Sequence, residues 1–299
     1  MSLLVVGSVA LDTVITPHGE LKEGVGGSAV YFSVASSLFS PVHLVGVVGK
    51  DFPEEHIDKL ETRGIDIDGL YVAGGKTFRW HGRYGEDFTD PETLLTELNV
   101  FADFSPDLPE KYRDIPFVFL GNIHPQLQLQ VLDQMQSPSL IAADTMNYWI
   151  ENDMDALMEV IKQIDMLVIN ELEVRLLTGK RSILAGAEKI QTMGPATIVV
   201  KRGAYGAFAM TGDHFFVLPA YPTQNVIDPT GAGDSFAGGL MGYIAEKGKI
   251  SPENLRMGIV YGTLIGSFCI EGFSIKKLEE ITPEQVNKRL DHFRSITCF

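Results

Sequence analysis

Short runs rich in Val, Ile and Leu alternate with longer amphipathic stretches along most of the chain, and no other feature limits the fold as much. The pattern is that of βαβ units wound around a mostly parallel sheet. Strands are expected at 3–9, 42–48, 117–120, 140–143, 166–169 and 197–200. Most of these runs lack polar alternation, as a sheet covered by helices on both faces requires. Helices are expected at 28–39, 54–63 with Gly64 as stop, 127–135, 155–164, 182–193 with Ser182 as N-cap and Gly194 as stop, and 233–247. The uncharged stretch 257–270 predicts a buried helix, in which Gly258, Gly262, Gly266 and Ser267 form notches for close packing.

Two regions interrupt the alternation. Residues 12–24 and 69–104 are hairpin-like, with Pro17, Gly19, Gly74, Gly75 and Gly85 as turn punctuation, and are expected to form a small β-lid. Within the second, Phe78, Trp80, Gly82 and Tyr84 share one face of an extended segment, and Arg79, His81 and Arg83 share the other. Residues 204–221 predict another antiparallel pair turning at Thr211, Gly212 and Asp213. With no repeat or linker, residues 1–299 are expected to form one domain carrying this lid.

Charge narrows the partners. The chain has 24 Lys+Arg against 39 Asp+Glu, a net charge of −15, which gives no global attraction for nucleic acid or anionic lipid. A phosphorylated small molecule stays accessible if backbone amides and a metal supply local positive potential. The two cysteines, Cys269 and Cys298, have no close partners in sequence, so neither a disulfide framework nor a Cys-based metal site is expected. The seven histidines show no paired metal-ligand spacing. No apolar run approaches the roughly 18 residues of a membrane span, and no basic leader precedes Asp12. A cytoplasmic protein is expected.

Residues 228–239, DPTGAGDSFAGG, carry the chemistry. Pro229 has no amide donor and biases Asp228 toward an extended conformation, so the chain should arrive extended from a strand-like stretch and then turn. Gly231 and Gly233 open backbone angles closed to other residues. Their amides, with that of Ala232, can converge at the positive end of the following helix. A carboxylate beside a bound anion is repelled by it unless it faces a substrate hydroxyl, so Asp234 is the candidate proton acceptor. A glycine-rich helix start with an acidic residue also stabilises many non-catalytic helices. Two aspartates bracketing the glycines favour the anion site, and phosphoryl transfer is the chemistry that needs the combination.

This segment resembles the DTGAGD signature of the ribokinase-like, or PfkB, family of carbohydrate and nucleoside kinases, with Pro229 and Thr230 where the family usually has threonines. GSVALD, ending at Asp12, is similar to the family's first strand, and GVGGSA, with Gly26 and Gly27, to its substrate turn. NELE, with Asn170 and Glu173, resembles the family's NxxE motif, and VKRGAYGA, with Lys201, Gly203 and Gly206, its nucleotide-binding stretch.

The resemblance implies a Rossmann-type α/β fold with a β-lid. It implies ATP and Mg2+ as cofactors, with Asn170 and Glu173 organising the metal through water. It places Asp12, Gly26 and Gly27 at the substrate, and Gly231, Ala232, Gly233 and Asp234 at the transferring phosphoryl; Tyr31 and, from the lid, Arg79 are further substrate-binding candidates. Asp228 and Thr230 resemble positions of a K+ site in some members. Tyr31 stands where many members have asparagine, a departure that bears on specificity. Lys201 and Arg202 can face a nucleotide phosphate, although basic residues at strand ends are commonly solvated or paired. His124 follows a strand and can reach the pocket. Family lids also form dimer interfaces, so a homodimer is open.

The leading expectation is an ATP-dependent kinase of a sugar or polyol hydroxyl. The alternative is a nucleoside kinase of the adenosine-kinase type, with Tyr31, Phe78 and Trp80 as candidates to stack on a base. A catalytically silent nucleotide sensor has little use for Asp234. A nicotinamide dehydrogenase lacks GxGxxG after its first strand.

Overall fold

The computed structural model describes residues 1–89 and 91–298. Its strands are β1 (Leu3–Val6), β2 (Ala10–Thr16), β3 (Gly19–Gly26), β4 (Val42–Gly49), β5 (Ile65–Ala73), β6 (Phe78–Arg83), β7 (Glu92–Glu97), β8 (Phe117–Leu120), β9 (Leu140–Asp144), β10 (Met166–Asn170), β11 (Thr197–Lys201), β12 (Ala207–Thr211) and β13 (His214–Leu218). Nine form the main sheet in the order β13-β12-β11-β10-β9-β8-β1-β4-β5. All are parallel except β12 and β13, the expected hairpin, which closes with Thr211 opposite His214.

Helices cover both faces, which explains the unbroken apolar runs. Leu3 and Val5 enter one core with Phe32, Leu240 and Ile265, whereas Leu4 and Val6 enter the other with Val160, Leu177 and Ile190. The stretch with the small-residue notches lies in the helix Pro252–Cys269. A Cβ on Gly262 would lie 2.6 Å from the Phe236 carbonyl, so this glycine lets the helix press directly onto Ala232–Lys247.

After β1 the chain builds outward through β4 and β5, then returns to add β8, β9, β10 and β11 on the other side. The reversal makes the carboxyl end of β1 a topological switch point, where open α/β sheets bind ligands.

The lid is a separate four-stranded sheet, β3-β2-β6-β7. Its second segment is shorter than the sequence suggests. Residues 69–73 belong to β5, which pairs in parallel with β4 at the edge of the main sheet. The first strand is also shorter than expected. It ends at Val6, and the chain then crosses to the lid at Ala10.

Candidate active site

The carboxyl ends of the parallel strands and the lid converge on the predicted residues. Helix Ala232–Lys247 begins after Gly231, which takes φ +73°, and no side chain caps its N-terminus. Its first amides therefore point outward without intrahelical acceptors. Ala232 is an exception, because its amide closes a turn onto the Pro229 carbonyl at 3.1 Å. The anion hole expected from three amides thus rests on the glycines and the helix end, with Ala232 shaping the turn. The segment before Asp228 is not a strand. It is irregular, and Ile227 donates to the Ile270 carbonyl at 2.7 Å.

Tyr31 is buried beneath this loop. A Cβ on Gly231 would lie 2.3 Å from its ring, so the ring forms the floor of the anion loop. Its hydroxyl titrates well above the ordinary value because of burial, reinforced by Asp12 and other acidic neighbours.

Asp234 stands in the first turn of the helix. Burial, helped by the negative charge of Asp144 and opposed by Lys201, raises its pKa to about 7. Such a carboxyl is poised to exchange a proton near neutrality. Asp12, on β2, is raised to about 8 by burial and by the nearby Asp228, with Asp234 adding to the effect and the Gly27 amide opposing it. Gly26 has no side chain because a Cβ there would overlap the Asp12 carboxylate, and Gly27 adopts φ +93°. The two glycines therefore build the seat of Asp12. The Gly27 amide is already engaged with that carboxylate.

A testable consequence concerns stability. Unfolded Asp12 ionises near 3.8, whereas folded Asp12 keeps its proton up to about 8. Between these values the folded state binds more protons, so this group destabilises the fold increasingly as pH rises. Asp12→Asn is expected to match wild-type melting near pH 4 and to exceed it by several degrees above about pH 8. Equal melting temperatures across that range, followed by calorimetry, would contradict the assignment.

Asp228 is almost fully buried. Its Oδ1 accepts from the Thr230 amide at 2.9 Å. Its Oδ2 meets no donor at full hydrogen-bond geometry among the described residues, with the Ser274 amide nearby. A buried carboxylate oxygen of this kind fits a small cation. Ser274 Oγ also donates to the Val25 carbonyl, which ties the 270–274 loop to β3. Thr230 Oγ1 contacts the Tyr84 hydroxyl at 3.4 Å, joining the loop to the lid.

Asn170 and Glu173 form a reciprocal capping box. Asn170 Oδ1 accepts from the Glu173 amide at 2.8 Å, and Glu173 Oε2 accepts from the Asn170 amide at 2.7 Å. The structural reading of this motif is thus realised as a helix cap. Among the described residues no three His, Cys, Asp or Glu side chains converge on one point. Glu173, a buried carboxylate just beyond the end of β10, is the kind of oxygen donor that Mg2+ takes alongside phosphate oxygens and water.

Lys201 reaches the same place. Its Nζ donates to Asp144 Oδ2 at 2.6 Å, and a Cβ on Gly233 would stand 3.3 Å from that nitrogen. Arg202 does not share this position. It pairs with Glu171 at 3.0 Å. Gly203 and Gly206 form a tight turn beyond β11, with φ +53° and +91°, and Arg202 donates to the Gly206 carbonyl at 2.8 Å.

Two other side chains have structural partners. Arg79 donates to Glu23 at 2.7 Å, to Asp51 at 2.8 Å and to the Thr77 carbonyl at 3.0 Å, so it braces the lid against the end of β4. These contacts occupy three of the five guanidinium N–H donors, so in this structure Arg79 serves first as a lid brace. His124 caps the helix Pro125–Leu132 and pairs with Asp153 at 3.4 Å.

The alternation read in the lid is visible in the register. β2 and β6 pair in parallel with Asp12 beside Trp80 and Val14 beside Gly82, so these four residues line the inner face. Trp80 lies over Gly82, where any Cβ would overlap the indole, and its Nε1 donates to Thr93 Oγ1 at 3.2 Å. A cleft of about 430 Å3, bordered by Thr13, Ile15 and His81, opens on the other face.

Sequence reasoning missed Asp144. It ends an apolar strand, a position that marks ligand crevices in such sheets, but its partner is 57 residues away.

Comparison with known proteins agrees with this arrangement. The pattern of the pfkB family carbohydrate kinases matches residues 2–271. A cytidine kinase of Thermococcus kodakarensis is 30% identical over 266 residues, covering 87% of this chain and 94% of that protein. A nucleoside kinase of Burkholderia thailandensis, solved in complex with inosine, superposes with a TM-score of 0.81 at 20% identity over 99% of both chains. An E. coli protein described as a ribokinase II, solved with ATP and Mg2+, gives 0.81 at 18% identity over 97% of this chain and 99% of that one. With the family pattern spanning β1 through the helix Pro252–Cys269 and a named kinase aligned along most of the sequence, the chain belongs to the pfkB family of carbohydrate kinases and is a phosphotransferase.

Proposed function

We propose that this kinase transfers the γ-phosphoryl group of ATP to a ribose hydroxyl of a nucleoside. The observation that carries the nucleoside reading is Trp80, an indole on the inner face of the lid in register with the hydroxyl-binding candidate Asp12. A stacking surface on the same face of the lid as that carboxyl group suits a base attached to a sugar. A free sugar or polyol, the first expectation from sequence, presents no aromatic face to it. The kinship with a cytidine kinase supports the same choice.

In the reaction, Asp12 orients the sugar through hydrogen bonds between its carboxyl group and the sugar hydroxyls, and Asp234 takes the proton of the attacking hydroxyl. As the new O–P bond forms, the bond between the γ-phosphorus and the bridging oxygen breaks and ADP leaves. The glycine loop and helix end stabilise charge on the equatorial oxygens. Asn170 and Glu173 would hold Mg2+ through water, and the ion supplies neutralisation of phosphate charge. Closure of the lid excludes water and limits futile hydrolysis of ATP.

Trp80→Ala is expected to raise the nucleoside KM by about 5- to 100-fold, from the usual worth of one stacked base, with little change in the KM for ATP. Steady-state kinetics on cytidine, uridine, adenosine, inosine and ribose test this. A variant unaltered toward every nucleoside, or wild-type turnover on ribose alone, overturns the reading. Asp228 and Thr230 are the residues for a monovalent cation, so activity should fall when K+ is replaced by a bulky organic cation. Equal rates in the two salts remove that site.

A further inference from the structure

Lys201 and Asp144 lie on two strands separated by β10. Asp144 is level with Val168, whereas Lys201 is level with Asn170, two residues farther along the same strand. The lysine stem must therefore reach back across the end of β10 to bring its ammonium to the carboxylate. Asp144 is fixed to receive it. Its Oδ1 accepts from the Thr145 amide at 2.8 Å, and its carbonyl accepts from the buried Gln128 amide at 3.1 Å. One of the three ammonium donors is thus committed, and the nitrogen lies beside Gly233 of the anion loop, 3.3 Å from where a Cβ would stand.

We infer that Asp144 is a positioning residue, which holds the Lys201 ammonium at the Gly233 end of the anion loop so that it grips the phosphates of the bound nucleotide. An ion pair that only stapled β9 to β11 would have no need to end beside a bare glycine at a helix N-terminus. The carboxylate is nearly inaccessible, at 5% side-chain exposure, and the lysine keeps 18%. The anchoring carboxylate is therefore the more buried member of the pair. Asp144 needs no contact with the nucleotide. It removes the rotational freedom of a four-carbon stem, so that little ordering remains to be done when phosphate arrives. Glu173 and Asp234 add to the field that keeps the lysine charged.

This inference rests on the nucleotide-dependent kinase reading. The test is calorimetric titration of Mg·ADP into the whole protein, which reads the nucleotide site without an acceptor. Lys201→Met is expected to weaken ADP binding about 10- to 100-fold, as for loss of a charge-assisted contact. Asp144→Asn should weaken it by a smaller factor, and Asp144→Glu should recover part of that loss. Asp144→Asn in the Lys201→Met background should change ADP affinity by no more than about twofold, because a residue acting only through another adds nothing once its partner is gone. Nucleoside affinity should be unmoved throughout.

The double variant leaves no unpaired buried charge, and it keeps the test open if a single variant fails to fold. In that case the double variant is compared with whichever single variant survives, or with the wild type. Wild-type ADP affinity in Asp144→Asn, or in the double variant, overturns the inference. So do losses that multiply when the two substitutions are combined. A wild-type protein that binds no ADP defeats the kinase reading itself, and is distinguishable from both.

Discussion

Asp234→Asn is expected to lower turnover by about 10² to 10⁴, the usual contribution of a general base, and to leave nucleotide binding close to that of the wild type. The substitution keeps the size of the side chain and the start of the helix Ala232–Lys247, so the anion loop survives. The lost element is an acceptor for the hydroxyl proton. The pH profile carries the same information. The Asp234 carboxyl, raised to about 7 by burial and by Asp144, must be ionised to act, so wild-type turnover falls as pH drops through that value. In Asp234→Asn the residual rate should lose this acid limb. Initial rates from pH 5.5 to 9, with ADP binding measured in parallel, decide the matter. A variant that turns over at the wild-type rate removes Asp234 from the mechanism.

The second large effect is structural and falls on Gly231. Alanine there must adopt φ near +73°, at a cost of about 1–2 kcal/mol for an L-residue. Its Cβ would also overlap the Tyr31 ring, whose carbons lie 2.3 Å from the built position, and overpacking of this kind adds about 1–3 kcal/mol. The expected loss is about 2–5 kcal/mol in urea unfolding, with activity falling further because the glycine shapes the phosphoryl site. Tyr31→Leu in the Gly231→Ala background should recover the steric part and leave the conformational part. A Gly231→Ala protein as stable as the wild type would mean that the loop is not held against Tyr31.

The contrast between these residues shows what a sequence can disclose here. The doubly covered sheet was legible because Leu3, Leu4, Val5 and Val6 are all apolar, and the structure sends alternate members into two cores. The inner row of Phe78, Trp80, Gly82 and Tyr84 was legible from period two, and pairing with β2 places Asp12 and Val14 on that row. Gly231 announced a special backbone angle through its neighbours Pro229 and Gly233.

Other features depended on contacts between distant segments. Periodicity puts Arg79 on a face but says nothing of Glu23 and Asp51, the acidic partners that claim it for the lid. Residues 69–73 have the composition of a lid hairpin, yet their pairing with β4 is set by the main sheet. Asp144 stayed hidden because an aspartate after LIAA marks only a strand end. Its meaning comes from Lys201, two strands away, and from the gap left by Gly233.

The most direct measurement of the central claim is product identification by 31P NMR, after the wild-type protein and Asp234→Asn are each incubated with Mg·ATP and an equimolar mixture of cytidine, inosine and ribose. The account predicts a nucleoside monophosphate formed in step with ADP by the wild type, and almost none from the variant. Ribose phosphate as the sole phosphorylated product would contradict the nucleoside assignment. ADP accompanied only by inorganic phosphate, or equal product from both proteins, would contradict the transfer mechanism.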